Sequence, residues 1–73
     1  MDDLYFKRYV KSLAEDYLEY IRLMQACDDP DERRELSAQR SICHDELIRL
    51  LGSDYARPFD MQAHCRRLVN DQG

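Results

Sequence analysis

The stretch Cys27-Asp28-Asp29-Pro30-Asp31-Glu32 decides the fold, because it is where two long helical patterns must part. Asp29 suits an N-cap, and Pro30 suits the first helical position, where a missing N–H is no loss. Glu32, three residues after Asp29, is spaced to bond back to the cap's own N–H. Upstream, Phe6, Val10, Leu13, Tyr17, Tyr20, Met24 and Cys27 recur at alternating spacings of four and three, which predicts a helix over 3–27. Tyr9, Ala14 and Ile21 widen that stripe to about 140° of the circumference, enough to pack against two neighbours. Asp2 and Asp3 are placed to cap its start and to favour its dipole.

Downstream of the break, Leu36, Cys43, Leu47, Leu50 and Leu51 share one face and predict a helix over 30–51. Asp45 and Arg49 are spaced for an ion pair on it, and Gly52 is a natural left-handed stop. So short a turn folds the two helices into an antiparallel hairpin. Pro58 opens a third pattern over 58–70, with Met61, Cys65, Leu68 and Val69 inward. About three turns of helix cannot stand alone in water, so this segment must dock on the hairpin or fray. The expectation is an all-α protein, an antiparallel helical hairpin plus a short third helix in a small bundle, as one domain over 1–73. Its expected core is Phe6, Val10, Leu13, Tyr17, Tyr20, Met24, Leu36, Cys43, Leu47, Leu50, Cys65 and Leu68.

A chain of 73 residues buries only roughly 60% of its unfolded surface, so an enclosed substrate cavity is not expected. Eleven Lys and Arg against fifteen Asp and Glu give 11 − 15 = −4, which disfavours nucleic acid as the main ligand and makes it at most secondary. The acidity lies in front: residues 2–35 hold six cations and ten anions, residues 36–73 five of each. Nine of the eleven cations are Arg, whose planar fork suits interfaces. Three cysteines cannot all pair within one chain, no signal peptide is evident, and no apolar run approaches the ~20 residues of a membrane span. These features fit a reducing cytoplasm, no membrane association and a protein partner. Whether the broad stripe is covered by the third helix or by a second copy stays open, with a monomer expected.

Cys43-His44, His64-Cys65 and Cys27 offer five zinc-type ligands, but neighbouring helical residues point about 100° apart, so each pair can give only one ligand to a common centre. No metal or other cofactor is expected, and the cysteines are read as small core groups. His44 beside Asp45 and Glu46, with Ser41 one turn earlier, looks superficially hydrolytic. Nothing in the sequence builds a sheltered pocket around it, and no enzyme is expected. Tyr9, Tyr17 and Tyr20 fall on the inner stripe. Leu4, Tyr5, Leu18, Leu23 and Ile42 fall off it and are candidates for contact with a partner. Leu4, Tyr5, Phe6, Lys7 and Arg8 form the densest mixed patch and are the expected main contact, with Arg66 and Arg67 as a secondary one.

Small size, an acidic all-helical composition and enrichment in Arg and Asp resemble the small lytic-phage regulators that capture a host bacterium's RNA polymerase. The resemblance covers the whole chain and rests on overall character. It implies binding near the amino terminus of the largest polymerase subunit, loss of sigma-dependent initiation and readthrough of terminators. A second resemblance lies in Ser41-Ile42-Cys43-His44-Asp45-Glu46-Leu47-Ile48, which is similar to the Ser-x-x-Leu-Asp-x-Leu-Ile stretch of sporulation-regulating aspartyl-phosphate phosphatases, with His44 in place of the Leu. A third is to the plasmid-copy-number hairpin that dimerises into a four-helix bundle and binds paired RNA loops. Helix 1 here lacks the basic row that such RNA binding requires.

Overall fold

The computed structural model describes residues 3–70, and among them there are helices and no strands. Helix α1 runs Asp3–Ala26 and α2 runs Pro30–Leu51; a single 3-10 turn at Ser53–Tyr55 leads to α3 at Pro58–Asn70. The expected boundaries therefore hold within one residue. The capping proposed for Asp2 and for the Asp3 side chain lies outside the described residues. Three residues separate α1 from α2, too few for anything but reversal, and Tyr9 near the start of α1 bonds Glu46 near the end of α2.

The turn forms for the reasons its residues suggest, with one difference. Asp29 holds an extended backbone, and its carboxylate accepts from the Asp31 N–H at 3.1 Å, while the Arg33 N–H closes the first helical bond to the Asp29 carbonyl at 2.9 Å. Glu32 does not complete a reciprocal box. Its carboxylate instead accepts from the Cys27 thiol at 3.4 Å, and Arg33 crosses back to the Cys27 carbonyl. At the other end of α2, the Gly52 N–H donates to the Ile48 carbonyl at 2.7 Å. Gly52 sits at φ 98° and ψ 166°, beyond the left-handed helical region, in territory that essentially only glycine occupies.

Helix α1 is the central element, packing on both α2 and α3, while the 3-10 turn packs on α2 and α3. The buried core is Val10, Ala14 and Tyr17 from α1, Cys43 and Leu47 from α2, and Met61 and Cys65 from α3. Each helix contributes a small residue, Ala14, Cys43 and Cys65, so three backbones can draw together around the larger Tyr17, Leu47 and Met61. Burial pushes the Cys65 thiol from an ordinary 9.0 up to about 11, as befits a small core group. Tyr55 stacks on His64 with ring centroids 4.1 Å apart, which fastens the 3-10 turn to α3. Leu13, Tyr20, Leu50 and Leu68 pack around this core, half-buried.

Several expected core members lie elsewhere. Phe6 is 46% exposed, because the first turns of α1 extend past the buried cluster. Tyr9 is also exposed and turns its hydroxyl to Glu46. Met24 and Leu36, near the turn, are half-buried and stand outside the core cluster, as does Cys27. Conversely, Leu18, read as off the inner face, packs against the core because α3 widens the covered arc of α1. The expected Asp45/Arg49 pair is replaced by Arg49 on Glu46, whose carboxylate is also held by Tyr9.

Candidate functional site

The expected main contact occupies the first two turns of α1. Leu4 is 63% exposed and Tyr5 76%, and with Phe6 they leave three apolar side chains in solvent around the first turns of α1; Lys7 and Arg8 beside them are exposed too. Tyr9 continues this surface one turn after Tyr5, and across the seam Ile42 stands one turn before Glu46, itself 62% exposed. The Tyr9 hydroxyl donates to Glu46 Oε2 at 3.1 Å, so the rim of the α1–α2 seam is braced where the apolar groups emerge. Arg49 donates to the same carboxylate through two nitrogens, Nε at 3.0 Å. Arg49 and Tyr9 together hold the Glu46 carboxyl below the usual range.

The secondary pair, Arg66 and Arg67, lies on the exposed side of α3. Arg66 reaches Gln62 at 3.4 Å and Arg67 approaches His64 Nδ1 at 3.5 Å, while burial, then Arg67, pull the imidazole pKa down. No hydrogen bond or ion pair among the described residues joins these arginines to the amino-terminal patch. The residues of the zinc reading go to separate tasks: Cys43 and Cys65 to the core, His64 under Tyr55, and His44 under Tyr17 at 5.8 Å between centroids. Among the described residues no three His, Cys, Asp or Glu side chains are grouped to hold a metal ion. No described helix is long and apolar enough to cross a membrane.

The structure also assembles a surface that the sequence reading passed over. Two open grooves, of about 520 and 290 Å³, flank the turn end of α2 and share Met24 as a common wall. The larger has Arg33, Arg34, Ser37 and Ser41 as its polar wall. The smaller lies where the first turn of α3 approaches α1, between Arg40 and Gln62 on the polar side and Ile21, Pro58 and Phe59 on the apolar side. Tyr17 lines it as well. Its ring is fully buried, and its hydroxyl meets no hydrogen-bond partner. Burial pushes the Tyr17 phenol pKa up, and the Arg40 guanidinium beside it partly offsets that.

A periodicity in α2 could have revealed this surface. Arg33, Ser37, Arg40 and His44 follow one another at three- and four-residue steps, whereas Asp31, Glu32, Glu35 and Glu46 fall on the other side of the helix. Counting charge along the chain hides the segregation that the helix creates around its axis. The chain matches no protein-family model, no curated protein and no solved structure.

Proposed function

We propose that this chain is a protein-binding regulator that engages its partner through the amino-terminal turns of α1, and that the partner is bacterial RNA polymerase, as the resemblance to small phage regulators implies. The supporting observation is the exposure of Leu4, Tyr5 and Phe6, successive apolar groups that the fold leaves outside its core on a domain with little apolar surface to spare. Aromatic anchors of this kind carry much of the energy of small interfaces. The basic Lys7 and Arg8 beside them would orient an acidic rim on the partner, while the acidic front half disfavours direct binding to nucleic acid. Acting as a non-enzymatic ligand, the protein competes with sigma for a shared polymerase surface, and inhibition depends on which of the two meets the enzyme first.

The test is binding to purified polymerase core together with abortive initiation, comparing wild type, Tyr5→Ala and the double variant Arg66→Ala/Arg67→Ala, with circular dichroism as the folding check. Tyr5→Ala is expected to bind about thirtyfold more weakly and the arginine pair to bind nearly as wild type. Failure of the wild-type protein to bind polymerase removes that partner. A folded Tyr5→Ala protein that inhibits fully, while the arginine pair does not, moves the site to α3.

A further inference from the structure

Two arginines elsewhere in the molecule, Arg22 and Arg49, are tied to glutamates one turn back, whereas Arg66 and Arg67 reach Gln62 and His64. Arg22 holds Glu19 through two nitrogens, Nε at 3.2 Å, and Arg49 holds Glu46 in the same way. The arginines around Met24 differ. Arg40 reaches the neutral Ser41 hydroxyl at 3.3 Å and lies beside the Tyr17 hydroxyl, Arg33 reaches a backbone carbonyl, and Arg34 is 3.8 Å from Asp31 with both groups open to water. Three guanidinium groups on an acidic protein thus share one surface, and among the described residues Arg34 alone of the three has a carboxylate in ion-pair reach, that of Asp31. Beneath Arg40 lies the Tyr17 hydroxyl, buried and lacking an acceptor. An unmet donor in that position is a standing cost unless something supplies the acceptor.

We infer that the grooves around Met24 are a docking site for a short acidic and apolar peptide segment of a protein partner. One carboxylate is taken by Arg40 and accepts from the Tyr17 hydroxyl beside it; a second meets Arg33 and Arg34. An apolar side chain of the peptide packs between Met24 and Phe59, which is 85% exposed at the lip. Charge complementarity identifies the occupant. The planar fork of Arg matches carboxylates two-prong to two-prong, and the wall of Met24, Ile21 and Phe59 calls for an apolar group between them. This assignment rests on the protein-binding reading but not on polymerase as the partner, nor on the amino-terminal patch.

The chain contains no Trp, so a synthetic peptide of about ten residues, alternating Glu and Leu and carrying one Trp, reports its own binding by fluorescence anisotropy. Wild-type protein is expected to bind it, with Arg40→Gln and the pair Arg33→Gln/Arg34→Gln each weakening affinity by about tenfold, and Arg49→Gln on the paired surface changing it less than about twofold. Tyr17→Phe separates ligand binding from packing. It should raise the melting temperature by about 4 °C, because the orphan hydroxyl is gone, and yet weaken the peptide complex. The inference is overturned if the acidic peptide binds no better than a matched Lys–Leu peptide. It is equally overturned if Arg40→Gln binds as wild type, or if a single-stranded RNA of equal charge binds more tightly through the same arginines. The polymerase assay reads Tyr5 separately, so either site can fail while the other stands.

Discussion

The middle of the hairpin and its turn end carry the same apolar rhythm but are held together in different ways. In the middle, Val10, Ala14, Tyr17, Cys43 and Leu47 meet Met61 and Cys65 of α3 and vanish from solvent. At the turn end, Met24 and Leu36 occupy equivalent places in the pattern, yet both stay half-buried, and the turn is fastened to α2 by polar bonds: Cys27 on Glu32 and Arg33 on the Cys27 carbonyl. Periodicity tells which side of a helix faces inward. Whether that side is sealed depends on how many elements reach it, and α3 is short.

The largest test of this contrast is truncation at matched positions. Leu47→Ala should cost about 3 kcal/mol or more, since it leaves a cavity among three helices, and in so small a domain that leaves much of the population unfolded at 25 °C. Leu36→Ala, outside the core, should cost about 1 kcal/mol or less in the same urea titration. Equal losses would erase the distinction between the two regions.

An intermediate effect is expected on the alkaline side. Cys65 has its folded pKa raised above the unfolded value, so the stability it contributes is whole below about pH 9 and is lost as pH rises towards about 11. Replacing it with Ala should flatten that limb of the urea midpoint against pH more than replacing Cys27, whose thiol is also pushed up by burial but which stands outside the core. The smallest effect belongs to the cap. Asp29→Ala removes one bond to the Asp31 N–H and should cost about 1 kcal/mol, fraying the start of α2 with little change in the core.

The hairpin was legible in the sequence because its signals are local. Asp29, Pro30 and Gly52 act on their own backbones, and four-three spacing needs no knowledge of a partner. The core was legible only where local pattern and neighbour number agree, as at Val10, Tyr17 and Leu47. Phe6 and Met24 belong to the stripe but overrun the region where all three helices meet, and nothing in their spacing says where that region stops. Charge pairing was harder still. Glu46 and Asp45 are equally plausible partners for Arg49, and the choice is made by Tyr9, a residue 37 positions from Glu46. The exposed turns at Leu4 and Tyr5 could be anticipated from residues off the stripe. The α2 wall of the grooves around Met24 could be anticipated from the steps between Arg33, Ser37 and Arg40, but not the apolar wall of the smaller groove, which forms only once Pro58 and Phe59 are brought beside α1.

The way α3 is attached has a consequence for the order of assembly. Its 13 residues rest chiefly on α1 and on the 3-10 turn, with the Tyr55–His64 stack as the clasp. The hairpin can therefore close first through contacts between neighbours in sequence, and α3 joins as a separate cooperative unit at the close of folding. The same unit is the first to leave when the native state opens. Its departure uncovers Ala14 and Tyr17, so exchange of the α3 amides with solvent deuterium should report how often the centre of the molecule is laid bare.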